Sequence, residues 1–224
     1  MKYVSVAVDG PAGSGKSTIT KMVAEKLGFN YVDTGAMYRA LTYNFLSNDL
    51  RELEENKIKE LLEDLDFRVK YVDGVQYVYV NDVEVSDKIR TAEVSKYTSL
   101  FAKSPAVREF LIDIQRNLAH TNNIIMDGRD IASVVLPNAD VKIFLTASVE
   151  ERARRRVLDF ERQGLENVDF KKVKEDIKAR DWQDENRDIA PLVKVDSATL
   201  VDTTSMTIDE VVDKMTELVK AVER

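Results

Sequence analysis

The chain contains no cysteine and a single histidine, His120. The first absence excludes disulfides and thiol catalysis. The second excludes a histidine metal cluster; His120 falls near the end of a predicted helix, where a solvated or capping role is expected. No segment approaches the ~18 consecutive apolar residues of a membrane span. No signal-peptide pattern precedes the first apolar segment, so a cytoplasmic protein is expected. An excess of positive charge is also missing: 33 Lys and Arg stand against 40 Asp and Glu, a net charge of −7. Nucleic-acid binders usually carry a basic balance, and this chain gives no global electrostatic reason to expect one. What remains is 224 residues, 44% of them hydrophobic, enough for one substantial core with a small inserted lobe.

The chain is organised around its N-terminal stretch. An apolar strand, Tyr3 to Val8, runs into Asp9-Gly10-Pro11-Ala12-Gly13-Ser14-Gly15-Lys16-Ser17-Thr18. Gly10, Gly15, Lys16 and Ser17 satisfy the phosphate-loop pattern G-x-x-x-x-G-K-[ST] in full. Glycines let the backbone wrap so that successive amides point at phosphate oxygens, and the following helix adds its positive end. Lys16 can reach the outer phosphates, and the Ser17 hydroxyl can sit on a magnesium ion. A helical pattern follows, with Ile19, Met22, Val23 and Leu27 on one face and a stop at Gly28. Gly10 to Thr18 are therefore the candidate ATP-binding residues. The motif alone leaves kinase, ATPase and GTP switch open.

Further along, Tyr31-Val32-Asp33 predicts a second strand, and Asp33-Thr34-Gly35 turns into a helix. A second amphipathic segment carries Leu50, Leu53, Ile58, Leu61, Leu62 and Leu65. From Asp66 the apolar period changes to two, with turn signals at Asp73-Gly74 and Asn81-Asp82, which predicts a three-stranded antiparallel meander. Its tyrosines are expected to pack rather than to stack on bases. A short helix is expected over Thr91 to Phe101, so residues 66–101 form the expected inserted lobe. Ser104-Pro105 predicts a helix start, with Val107, Leu111, Ile114 and Leu118 as its stripe. Buried strands are expected at Ile124 to Asp127 and Val141 to Leu145, and a fifth strand at Thr199 to Asp202. Capping boxes are expected at Ser148/Glu151 and Thr207/Glu210. The helix after Ser148 carries Arg152, Arg154, Arg155 and Arg156, part of which can be paired surface, and Gln163-Gly164 breaks it.

Five strands alternating with helices imply an α/β fold: a doubly wound five-stranded parallel sheet with helices on both faces, plus the inserted meander. Ligands of such sheets sit at the carboxyl ends of the strands. Polar residues gather there: Asp9-Gly10, Asp33-Thr34-Gly35, Asp127-Gly128-Arg129-Asp130 and Asp202-Thr203. Thr34, Tyr38, Arg39, Arg108, Arg129, Asp130, Arg180, Asp184 and Arg187 are candidates for a second, phosphoryl-acceptor pocket. Any one of them alone is more often a surface charge or a structural ion pair. Several arginines opposite a phosphate loop are the counter-charges that two anionic nucleotides require.

At these residues the sequence closely resembles the cytidylate (CMP/dCMP) kinase family. The matching segments are Asp9 to Ser17, Asp33-Thr34-Gly35-Ala36-Met37-Tyr38-Arg39, Ile89-Arg90-Thr91, Val107-Arg108, Asp127-Gly128-Arg129-Asp130 and Asp184 to Leu192. The resemblance runs across nearly the whole chain, meander included, as in the longer bacterial-type form with an extended monophosphate-binding insert. It implies a phosphate-loop kinase core over residues 1–65 and 102–224, a lid at about 152–167, and transfer of the γ-phosphate of ATP to CMP or dCMP with Mg2+. Arg39, Arg129 and Arg187 are similar to the family's acceptor-phosphate ligands. Thr34, Ser99, Arg108 and Asp130 are similar to its cytosine pocket, with threonine where the family often has serine. Tyr38 falls in the same substrate-binding segment, and Arg180 and Asp184 are similar to the sugar-binding pair. Lys16, Arg129, Arg180 and Arg187 are the expected catalytic set, Arg154 and Arg156 the expected lid arginines, and Ser17 the metal ligand. A monomer without nucleic-acid or membrane partners is expected.

Three rivals remain at this stage. A kinase of a small acid or alcohol would share the loop but need a general base, where this chain offers arginine. A GTP switch should carry N-K-x-D, and Asn56-Lys57 is followed by Ile58-Lys59. A non-catalytic nucleic-acid binder is disfavoured by the acidic balance.

Overall fold

The computed structural model describes residues 3–72, 74–162, 164–165 and 167–222. Two of the expected turn signals are only partly inside that set: Asp73 of Asp73-Gly74 and Gln163 of Gln163-Gly164 lie outside the described residues, as does Glu166 of the expected lid. Strands β1 (Ser5–Asp9), β2 (Asn30–Asp33), β6 (Ile124–Gly128), β7 (Val141–Thr146) and β8 (Thr199–Asp202) form the main sheet, in the order β2-β6-β1-β7-β8. The chain is thus a doubly wound α/β protein with a five-stranded parallel sheet. Strands β3 (Phe67–Val72), β4 (Val75–Val80) and β5 (Val83–Glu84) make a separate antiparallel meander. The eight α-helices described are α1 (Lys16–Leu27), α2 (Thr34–Ser47), α3 (Glu55–Glu63), α4 (Ala92–Phe101), α5 (Pro105–Thr121), α6 (Val149–Arg162), α7 (Phe170–Glu185) and α8 (Ile208–Lys220). None of the described helices is long and apolar enough to cross a membrane.

The chain divides into two compact units. The first spans Phe29–Ile124 together with Tyr3 among the described residues. Its core is built by α2 and α4 around Met37, Leu41, Phe45 and Phe101, with the Phe45 and Phe101 rings edge-to-face at 5.0 Å. The meander register places Phe67, Val69 and Tyr71 opposite Val80, Val78 and Gln76 on one face. Burial pushes the Tyr71 phenol pKa up, so this tyrosine packs as expected. Tyr77 and Tyr79 lie on the other face, half-buried, opposite Lys70 and Arg68, with the Lys70 ammonium 5.1 Å from the Tyr79 ring centre. Gln76 joins the meander to β2: its Oε1 accepts from the Asp33 amide at 2.8 Å and its Nε2 donates to the Asp33 carbonyl at 3.2 Å.

Three local differences from expectation have simple causes. The segment after Leu50 stays non-helical until Glu55, leaving Leu50 buried before the helix and Leu53 43% exposed. The third strand stops at Glu84, and Val85 is buried beyond its end. The inward line of α5 is Val107, Arg108, Leu111, Gln115 and Ala119 rather than a purely apolar stripe through Ile114 and Leu118. An apolarity pattern cannot select Arg108 and Gln115 as inward residues, so it rotates the helix by one position.

The second unit spans Val4–Gly28 and Ile125 onward. Its strands β1 and β7 pair in parallel, Val6 opposite Val141 through Asp9 opposite Phe144, and β7 pairs in parallel with β8. The interior residues Val6, Ala7, Val8, Ile143, Leu145 and Val201 are fully buried, which fits strands covered on both faces. The Thr207/Glu210 capping box starts α8 as expected. At Ser148 only half of the expected box forms. Its Oγ accepts from the Glu151 amide at 3.2 Å, but its own amide donates to Thr204 Oγ1 at 2.9 Å, and the Glu151 carboxylate is held by Arg154 and Arg155.

Gly10 sets the exit of β1. Its φ is +152°, and a Cβ there would lie 2.0 Å from the Leu145 carbonyl oxygen. That oxygen belongs to the neighbouring strand and cannot give way. Gly28 also has positive φ, +69°, but open space around it. We expect Gly10→Ala to lose at least about 3 kcal/mol in urea unfolding, or to fail to fold, and Gly28→Ala to lose only about 1–2 kcal/mol. Equal losses at the two glycines would remove the steric constraint assigned to Gly10.

Candidate functional site

The phosphate loop is held from within by the Lys16 side chain. Gly10, Gly13 and Gly15 all have positive φ, a conformation that a residue with a side chain takes only at a cost. Lys16 folds back beneath them. Its Nζ donates to the Gly10 carbonyl at 2.7 Å, the Pro11 carbonyl at 2.7 Å and Ser14 Oγ at 3.2 Å. The ammonium is buried, and burial, reinforced by the neighbouring Arg129 charge, holds its pKa well below the ordinary lysine range. Asp127, Asp9 and Asp184 work in the opposite sense and favour the charged form. Ser17 and Thr18 are exposed at the first turn of α1, and Ser17 Oγ donates to Asp127 Oδ2 at 2.9 Å.

The segment after β6 carries the next group. Sequence reasoning left Ile131–Val135 unassigned; it is a π-helical turn. Asp9, at the end of β1, holds its start: Oδ1 accepts from the Ile131 amide at 2.9 Å and Oδ2 from the Ala132 amide at 2.8 Å. This brings Arg129 and Asp130 alongside two residues from the end of α7 and its following loop. Arg129 Nε donates to Asp184 Oδ2 at 2.8 Å, and Arg187 Nη2 to Asp130 Oδ1 at 3.3 Å. Arg187 Nε also donates to the carbonyl of Ala190, a residue with φ of +50°. Arg129, Asp130, Asp184 and Arg187 are therefore gathered in the second unit. Arg180 lies on the same helix, α7, with its side chain exposed.

In the first unit, Asp33 Oδ1 caps α2 by accepting from the Ala36 amide at 2.8 Å, and its Oδ2 accepts from Arg39 Nη2 at 3.0 Å. Gly35 lies close against this pair: a Cβ there would lie 2.9 Å from Arg39 Nη1 and 3.1 Å from Asp33 Oδ1. Arg108 is buried, and its Nη1 donates to the Tyr38 hydroxyl at 3.0 Å. Thr34 is buried at the start of α2, and Ser99 is exposed on α4.

The helix expected to supply lid arginines divides them by facing. Arg154 is exposed and paired with Glu151, and Arg156 is exposed with its guanidinium 4.5 Å from the Phe160 ring centre. Arg152 and Arg155 turn inward instead. Arg155 donates to the Thr203 carbonyl at 2.8 Å and Thr203 Oγ1 at 3.0 Å. Arg152 is buried against Ala12 and Asp181. Asp181 carries no sequence signal for a site, and Asp9 is placed at the site by sequence but given no role there. For Asp9 a signal existed, since it sits at the carboxyl end of the strand that opens the loop.

The family model for cytidylate kinase matches residues 6–221. The chain belongs to the cytidylate kinase family. Among its relatives, the cytidylate kinase of Caldicellulosiruptor saccharolyticus is 47% identical over 218 residues, covering 97% of this chain and 96% of the relative. The Bacillus subtilis cytidylate kinase is 45% identical over 223 residues, covering 100% of this chain and 99% of the relative. A solved structure of an uncharacterized protein from Eubacterium ventriosum shares the fold alone, with a TM-score of 0.54 at 14% identity over 97% of this chain and 99% of that one.

Asp9 gives the site a pH signature. Burial pushes its carboxyl up to about 6 from 3.8, against the two backbone donors that lower it. The folded state then binds the proton more tightly than the unfolded chain. The stability this contributes is full below pH 3.8 and is lost as pH rises to about 6. The change amounts to about 3 kcal/mol. Urea unfolding of the wild type and Asp9→Asn should show the wild type's relative stability falling between about pH 4 and 6 and flat above about pH 7. A pH-independent difference would remove the assignment.

Proposed function

We propose that the chain transfers the γ-phosphate of ATP to CMP or dCMP, giving CDP or dCDP and ADP. The observation that carries this reading is a complete phosphate loop, closed on its own lysine, in a chain that belongs to the cytidylate kinase family. Gly10 to Thr18 make up the loop that holds ATP. Arg39, Arg129 and Arg187 are ligands of the acceptor phosphate, and Arg180 with Asp184 holds the acceptor sugar. Thr34, Tyr38, Ser99, Arg108 and Asp130 serve the cytosine. Residues 66–101 are the acceptor-side lobe, and residues 152–167 the lid that carries Arg154 and Arg156. The anionic nucleotide substrates support a cytoplasmic location.

The chemistry requires little beyond positioning and charge. A phosphate monoester has a second pKa of about 6, so the acceptor is largely dianionic at neutral pH and needs no general base. Lys16 and the arginines neutralise the oxygens that gather charge as the phosphoryl group moves. The Ser17 hydroxyl and Asp127 carboxylate, 2.9 Å apart, are the hard oxygen donors that suit magnesium and would hold it. When bound with ATP, that ion supplies further neutralisation of the phosphate charge.

Cytosine differs from uracil at one edge: an amino group stands where uracil has a carbonyl. A carboxylate accepts from the first and repels the second. Asp130 is buried and one of its oxygens accepts from Arg187, which fixes its orientation. We expect Asp130→Ala to lower kcat/KM for CMP about tenfold more than for UMP; equal losses would remove Asp130 from base recognition. Lys16→Ala should lower turnover by about 10²–10³-fold with far-UV circular dichroism unchanged. A coupled assay with ATP and each nucleoside monophosphate tests the reading as a whole: ATP consumption without CDP formation from CMP would overturn it.

A further inference from the structure

A buried ion pair next to the phosphate loop has no part in the roles above. Arg152 on α6 is 4% exposed and Asp181 on α7 is 8% exposed. Arg152 Nη1 donates to Asp181 Oδ2 at 2.6 Å. Both side chains also grip Ala12: the arginine Nη1 donates to its carbonyl at 2.9 Å, and Asp181 Oδ1 accepts from its amide at 3.2 Å. Arg152 Nε donates to the Ala147 carbonyl at 2.9 Å, at the end of β7. The backbone of Gly13 is packed against the same arginine, since a Cβ there would meet Arg152 Cβ at 3.4 Å.

We infer that Arg152 and Asp181 are positioning residues for ATP: they set the shape of the phosphate loop by clamping Ala12 from two helices, and touch no phosphate themselves. This rests on the reading of the loop as the ATP site. Two consequences follow from the donor and acceptor assignments. The Ala12 amide is committed to a carboxylate, and the Gly10 and Pro11 carbonyls are committed to Lys16. The phosphate cradle therefore begins at Gly13, and its geometry depends on a fixed point immediately before it. Second, the base of α6 is fastened to the loop by Arg152 and to Thr203 by Arg155. α7 is held to the same loop through Asp181, and carries Arg180 and Asp184 one residue before and three after it.

The test is direct ligand binding, because it does not depend on turnover. The chain has one tryptophan, Trp182, next to Asp181 on α7 and 66% exposed. Its fluorescence, with calorimetry as a second readout, follows ATP binding without acceptor and CMP binding without ATP. We expect Asp181→Asn and Arg152→Gln each to weaken ATP binding about tenfold or more while CMP binding changes less than about twofold. Combining the two removes the lone buried charge and should recover part of the loss. A single variant that leaves an unpaired buried charge can fail to fold. Arg152→Lys then decides the matter: it keeps the charge opposite Asp181 but lacks the fork that reaches Ala12 and Ala147 together. It should bind ATP about tenfold more weakly at a near wild-type unfolding midpoint. Wild-type ATP affinity in any folded variant, or equal losses for ATP and CMP, would overturn the inference. Wild-type protein that binds ATP but does not phosphorylate CMP would refute the acceptor assignment and leave the clamp standing; wild-type protein that binds no ATP would refute both.

Discussion

A lysine ammonium taken out of water is the constraint on which the phosphate-loop unit is built. Desolvating such a charge costs several kcal/mol unless partners surround it. Lys16 obtains its hydrogen bonds from two loop carbonyls and a serine, and its counter-charge from Asp127, Asp9 and Asp184. Each of those aspartates has a second commitment. Asp9 holds the turn after Asp130, Asp127 holds the Ser17 hydroxyl, and Asp184 holds Arg129. The electrostatic demand of one side chain thus ties together the ends of two strands, a π-helical turn and the last turn of α7.

The arginines follow the same rule in each unit. Arg129 and Arg187 rest on Asp184 and Asp130, and Arg39 rests on Asp33. On the proposed reading these carboxylates are stand-ins for phosphate. They hold the guanidinium groups in defined orientations, and an incoming dianion competes for cations that are already aimed. Pre-orientation of this kind reduces the side-chain entropy lost on binding.

The fold was legible where one residue type had one meaning. The loop glycines, the Ser104 cap, the Thr207/Glu210 box and the alternation after Asp66 all translate into the structure, because each rests on a local backbone requirement. The inward line of α5 was not legible, since it includes Arg108 and Gln115, which an apolarity pattern assigns to solvent. The half-formed box at Ser148 failed for another reason: Thr204, distant in sequence, takes the amide that Glu151 was expected to satisfy. The same limit applies to the arginine cluster of α6. Four arginines in five positions look alike in sequence, and only tertiary contacts separate Arg152 and Arg155, held inside, from Arg154 and Arg156, left outside. Asp181 is invisible in this sense too, because its significance lies in an Ala12 peptide 169 positions away.

Gln76 has a bearing on how the protein behaves in concentrated solution. β2 is the outermost strand of the main sheet on its side, and an outermost strand exposes backbone donors and acceptors that a second chain can pair with. The carboxamide of Gln76 copies the donor and acceptor of a peptide group and occupies both polar atoms of Asp33. One side chain thus closes a section of that border against edge-to-edge association.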